Sequence, residues 1–166
     1  MREVKILIGL PGAKKTTWAR SYVTSGNYNT AIITLDAIRE MMYGRYDYRE
    51  ELEPLIYQIA VAIIRQSLRA GLDIIIDDTM LILTKQSREH LVNFLRSYLY
   101  ACGKISIQAV TFQYDQQCVI NRTSDPRGLD PSRWLMVINE MMLKFEPVSD
   151  AEDFDSIVKS HSFSFS

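Results

Sequence analysis

The chain has 166 residues, 47% of them hydrophobic and 23% charged, with a formal net charge of −1 at pH 7. That length fits one domain, at about 150 residues per domain, and the apolar fraction suffices for a packed core. Near-neutral charge, with a sequence pI of about 6.1, argues against a protein that coats nucleic acid through bulk positive charge. It leaves room for an enzyme that grips a few nucleotides in a local basic pocket.

No segment approaches the roughly 18 apolar residues of a membrane span. The start, "MREVKILIGL", lacks a signal-peptide cleavage pattern and reads as a buried first strand. Cys102 and Cys118 show no metal-ligand spacing and are too few for a disulfide framework, so a reducing cytoplasm is the expected compartment.

In chain order, apolar runs alternate with segments of helical period, the pattern of a parallel sheet covered by helices. A strand is predicted over 4–9 and a helix over 15–24. A second strand is predicted over 31–35, with helices over 36–42 and 48–70. In the longer helix Leu52, Ile56, Ile59 and Ile63 recur at helical spacing. A third strand is predicted over 74–77 and a helix over 85–101, its apolar face running through Leu91, Leu95, Tyr98, Leu99 and Cys102. A fourth strand covers 105–112. Gly71 and Gly103 read as helix C-terminal caps. Helices over 116–121 and 131–145 complete the set, the last started by Asp130-Pro131, a capping side chain followed by proline. Residues 1–146 form the expected domain. Residues 147–166 form a polar tail in which "FDSIVKS" has the composition of a short edge strand.

Chemistry concentrates where strands give way to helices. "GLPGAKKTT", Gly9 to Thr17, has the length and ending of the phosphate-binding pattern G-x-x-x-x-G-K-[ST], with Lys14 where the second glycine belongs. Such a loop needs inward backbone N–H groups and a helix N-terminus behind them. It also needs a lysine for the outer phosphates and a hydroxyl for the metal ion. Gly9, Gly12, Lys15 and Thr16 stand at the right offsets, with Ala13, Lys14 and Thr17 completing the nucleotide-binding segment. At Lys14, next to a helix start, an ordinary helical backbone is expected, so Lys14→Gly should barely change stability.

In "TLDAIRE", Asp36 and Arg39 follow the second strand at the carboxyl edge where open parallel sheets collect ligands. Asp36 can accept the proton of an attacking hydroxyl and Arg39 can grip an anionic substrate group; the alternative is a helix cap with a solvated neighbour. "IIIDDTM" ends a strand with two acids, one of which should face the site by strand alternation. Asp78 is the expected metal-side acid, with Thr79 as a cap or contact. "NRTSDPRGLDP" carries Arg122 and Arg127 between two helices, suited to close over a transferring phosphoryl group. His90 and His161 have no partner pattern.

Together "GLPGAKKTTWAR", "LDAIR", "IIDDT" and "NRTSDPRG" resemble, in order and spacing, the 5′-kinase domain of phage-type polynucleotide kinases over residues 4–146. The phosphate loop is widespread; the "TWAR" continuation and the D-x-x-R after the second strand narrow the likeness. The resemblance implies a three-layer P-loop kinase fold, a parallel sheet flanked by helices with an arginine lid. It also implies transfer of the γ-phosphate of ATP, with Mg²⁺, to a 5′-hydroxyl end of DNA or RNA. Asp36 matches the general base and Arg39 the arginine holding a substrate phosphate. Lys15 and Thr16 match the phosphate and magnesium residues. Asp78 matches the acid after the third strand, Arg127 the lid arginine, and Arg122 a second one. The phosphatase or ligase domains that accompany many such kinases do not fit in this length. Ala13 and Lys14 depart from the family's usual "SGK". Two alternatives stay open: a kinase for a nucleoside, small metabolite or hydroxymethylated base in DNA, and a non-catalytic binding relative.

Overall fold

The computed structural model describes residues 1–45, 47–79, 81–98, 103–124 and 130–160. Strand β1 (Arg2–Ile8) leads into α1 (Lys15–Thr24). Strand β2 (Thr30–Ile33) follows, then α2 (Leu35–Tyr43), a 3₁₀ turn at Glu50–Leu52 and α3 (Glu53–Arg69). The chain continues through β3 (Asp73–Ile76), α4 (Lys85–Ser97) and β4 (Ile105–Thr111). It ends with α5 (Gln116–Thr123), α6 (Pro131–Lys144) and β5 (Ser156–Lys159).

The five strands form one sheet in the order β2-β3-β1-β4-β5, every neighbouring pair parallel. Strand β1 sits in the centre, its Val4 level with Ile74 on one side and Ile107 on the other. The alternation of strand side chains divides the core between two faces. Val4, Ile6, Ile8, Ile74 and Ile76 face the larger layer, closed by Ile56, Ala60, Ile64 and Leu68 of α3 and Leu91, Val92 and Leu95 of α4. Leu7, Ile75 and Val110 face the other layer, against Ala19, Trp18 and Tyr22 of α1. The result is a three-layer α/β sandwich, as the alternation of elements predicts.

The element boundaries shift from the sequence reading where local chemistry intervenes. The helix predicted over 48–70 begins at Glu53, because Pro54 is tolerated only in a first turn and so sets the start. Strand β2 stops at Ile33 and Leu35 already belongs to α2. Helix α4 ends at Ser97, with Tyr98 at the C-cap; Leu99 and Cys102 lie outside the described residues. Beyond α6 the chain packs back on the body through Arg88, which is fully buried. Its Nε and Nη2 donate to Glu152, and Nη1 donates to the carbonyls of Ile82 and Glu146.

Candidate phosphate-transfer site

The loop between β1 and α1 is packed against its neighbours so closely that two glycines have no substitute. A Cβ on Gly9 would lie 2.8 Å from that of Phe112. At Gly12, φ is +85° and an added Cβ would lie 1.9 Å from the carbonyl oxygen of Cys118. Helix α5 also holds the loop from outside, with Asn121 Nδ2 donating to the carbonyl of Gly12 at 3.2 Å. Asn121 was not singled out from the sequence, where an asparagine more than a hundred residues away gives no sign of this contact.

Lys15 stands at the start of α1, its side chain curled back into the loop. Its Nζ donates to the carbonyls of Gly9 at 2.7 Å and Leu10 at 3.1 Å, and to Thr79 Oγ1 at 3.1 Å. Burial lowers its pKa, and the nearby carboxylates of Asp77 and Asp78 pull the other way. Among the described residues it makes no ion pair. A buried ammonium held only by uncharged oxygens is stabilised further by an anion, so the loop fits a phosphate chain. Thr16 Oγ1 donates to Asp77 Oδ2 at 2.5 Å. This hydroxyl–carboxylate pair fits a magnesium ion, which typically takes one or two protein oxygens and leaves the rest to phosphates and water.

That pairing brings Asp77 into the site beside Asp78, the acid favoured by the sequence. Strand alternation was expected to aim Asp78 inward and Asp77 away, yet both line the same cavity. Strand β3 ends at Ile76, so the period-two rule does not reach either residue. Asp77 meets Thr16, while Asp78 Oδ1 accepts from the backbone N–H of Leu81.

Lys14 corrects a second expectation. Its backbone lies at φ 60°, ψ 26°, in the left-handed region, and among the described residues it is the one non-glycine with positive φ. The loop must reverse before α1 begins, so the turn falls on the N-cap residue and not on a helical one. The side chain is exposed and caps nothing. Ala13, in contrast, is buried and donates its backbone N–H to Leu10, and Thr17 lines the cavity.

Asp36, which also lines the cavity, occupies the first turn of α2. Thr34 is the N-cap, so Asp36 is not the residue that caps this helix; its carboxylate accepts instead from Arg39 Nη1 at 2.6 Å. Arg39 is 3% exposed. Its Nε and Nη2 donate to the two oxygens of Glu53 at 2.9 and 2.6 Å, and its guanidinium lies 5.5 Å from the Tyr48 ring centroid. Burial opposes its charge, but the hydrogen bonds and charge of Glu53, with Asp36, raise its pKa. Glu53, fourteen residues further on, escaped the sequence reading, since nothing local marks it beyond an acid before proline.

Arg122 is buried and its guanidinium lies 3.7 Å from the ring centroid of Trp134 on α6. Arg127 lies outside the described residues. The loop, both acids of the third strand's end, Asp36, Arg39 and Arg122 share one cavity of about 640 Å³. It therefore presents both a cation-bearing loop for phosphates and a carboxylate able to accept a proton.

Among the described residues no helix is long and apolar enough to cross a membrane. No curated protein matches the sequence. Among solved structures, a chain of the Pnkp1/Rnl/Hen1 RNA repair complex superposes with a TM-score of 0.66 at 19% identity, over 93% of this chain and 50% of the other. A fungal RNA kinase also superposes with a TM-score of 0.66, at 13% identity, over 96% of this chain and 75% of the other. A gluconokinase from Sinorhizobium meliloti 1021 gives 0.51 at 15% identity, over 96% and 83%. At such identities the likeness is one of fold, and the chain spans about half the length of the RNA-repair chains it matches. The family model described as AAA domain matches residues 4–147. By that match and by the loop at Gly9–Thr16, the chain belongs to the AAA_33 family of AAA domains, built on a P-loop kinase-like fold.

Proposed function

We propose that this protein is an ATP-dependent kinase that transfers the γ-phosphate to the 5′-hydroxyl end of a polynucleotide. The observation that carries the reading is the placement of Asp36 in the same cavity as Lys15 and Thr16, with its carboxylate turned to Arg39. In the reaction, the acceptor hydroxyl gives its proton to Asp36 as its oxygen bonds to the γ-phosphorus. The bond to the bridging oxygen breaks and ADP departs. Lys15 and the loop amides hold the phosphates, and Arg122 and Arg127 supply cations over the transferring group. Thr16 and Asp77 would hold magnesium, with Asp78 beside them; the ion neutralises charge on the phosphate oxygens. Thr79 orients Lys15.

A second reading, a kinase for a smaller hydroxyl acceptor, draws on the charge of the acceptor side. Glu40, one helical turn after Asp36, and Asp47, paired with Arg45 and Arg49, line the cavity, and three N–H groups of Arg39 already meet carboxylates. Arg39 is therefore less available to an acceptor phosphate than the D-x-x-R pattern led one to expect.

The test is label transfer from γ-³²P-ATP to a 5′-hydroxyl oligonucleotide, a nucleoside pool and hydroxymethylated DNA, each with the parent and Asp36→Asn. Label on the oligonucleotide end, lost in the variant, supports the proposal. Label confined to nucleosides or the modified base selects the second reading. Absence of both transfer and ATP binding ends the kinase assignment.

A further inference from the structure

Arg39 sits between two carboxylates that each occupy the first turn of a helix, Asp36 on α2 and Glu53 on α3. The helix N-termini stabilise both anions, so the guanidinium has two strong competitors for its N–H groups. Glu53 takes the Nε–Nη2 edge with both oxygens, the bidentate geometry that fixes a guanidinium most firmly. The guanidinium carbon lies over the Tyr48 ring. Toward Asp36 the guanidinium turns Nη1, which reaches Oδ1 alone. Among the described residues, Oδ2 of Asp36 accepts no hydrogen bond.

Without Glu53, the residue at i+3 could turn its fork onto Asp36 and cover both oxygens. A carboxylate held that way has both syn lone pairs taken and only the less basic anti ones left for an incoming proton. We propose that Glu53 is a positioning residue: it keeps Arg39 edge-on, so that Asp36 is oriented through one oxygen and receives the proton at the other. The inference rests on the assignment of Asp36 as general base. It gives Arg39 the task of orienting the base in addition to any contact with substrate.

Glu53→Gln preserves shape but removes the charge and one acceptor oxygen, and Glu53→Asp keeps the charge at shorter reach. In steady-state kinetics per folded molecule, Glu53→Gln should lower kcat about tenfold or more, a part of the 10²–10⁴-fold that a positioned base contributes. The KM for ATP should stay within about twofold, because Glu53 acts on proton transfer and not on uniform binding. Glu53→Asp should recover much of the loss. The second measurement needs no turnover: labelling of Asp36 by a water-soluble carbodiimide with glycine ethyl ester, read by peptide mass spectrometry. With its second oxygen covered by a bidentate fork, Asp36 should label to about half or less of the parental extent in Glu53→Gln.

A fall in kcat together with a fall in Asp36 labelling upholds the proposal. A folded Glu53→Gln protein with unchanged kcat overturns it. So does a fall in kcat with unchanged Asp36 labelling, since Glu53 would then act by another route. If the parent transfers no phosphate to any acceptor, the kinase assignment fails on its own. Labelling then decides whether Glu53 holds Arg39 away from Asp36: a fall upholds that geometry and no change refutes it.

Discussion

Lys14 holds a left-handed backbone, φ 60°, ψ 26°, with an exposed side chain that caps nothing, and replacing it by glycine removes the cause of that strain. A residue with a Cβ costs about 1–2 kcal/mol in this conformation, because the Cβ crowds the following carbonyl oxygen. Glycine escapes that crowding but gives the unfolded chain more freedom, which returns about 0.4–1 kcal/mol. The difference leaves Lys14→Gly more stable by about 0.5–1 kcal/mol. For a chain of this size, with about 2–4 °C per kcal/mol, Tm should rise by about 1–4 °C. Lys14→Ala retains the Cβ and should show no comparable rise, which separates backbone relief from loss of the lysine charge. Thermal unfolding of the three proteins by circular dichroism is the assay, with ATP affinity measured in parallel by calorimetry. A glycine variant no more stable than the alanine variant would refute the argument from backbone strain. Weaker ATP binding by Lys14→Gly than by the parent would show Lys14 to be a phosphate ligand, not a tolerated departure.

Asp36→Asn should reduce turnover about a hundredfold or more in a protein that still folds, since asparagine keeps the shape and an oxygen to accept from Arg39 Nη1; retained turnover would remove Asp36 from the role of base. Gly12→Ala should destabilise the fold measurably and abolish ATP binding, because the new Cβ meets a backbone carbonyl 1.9 Å away that cannot turn aside; calorimetry on the folded fraction checks it. Arg88→Met strands Glu152, whose side chain is 6% exposed, and breaking such a buried pair costs about 3–5 kcal/mol, read as a loss in chemical denaturation. In the parent, burial alone would raise the Glu152 pKa, but the Arg88 hydrogen bond and charge lower it below the usual carboxylate value. Its contribution is therefore complete above the ordinary carboxylate range and is lost as pH falls toward the lower folded value. A pH series of unfolding curves should show that acid loss in the parent and a smaller one in Arg88→Met.

Much of the architecture follows from short-range patterns in the chain. Alternation within β1 and β3 and helical spacing along α3 depend on geometry that every strand or helix imposes, so Val4, Ile6, Ile56 and Leu91 can be assigned to a core before any fold is known. The loop from Gly9 to Thr16 is legible for a similar reason: a phosphate cradle needs its residues at consecutive offsets, and the chain itself measures those offsets. Asp36 and Arg39 share a turn of helix, so their proximity is local as well. Contacts between distant segments leave no such trace. Glu53 reaches Arg39 only because α2 and α3 pack together, and Arg88 finds Glu152 only when the chain returns after α6. The choice between Asp77 and Asp78 turns on where β3 stops, a boundary that its neighbours set through the register of the ladder. Lys14 is forced left-handed by the turn the loop must make between a strand and a helix held in place by the rest of the sheet. Sequence carries the interactions whose geometry repeats along the backbone, and the tertiary structure decides those whose partners must first be brought together.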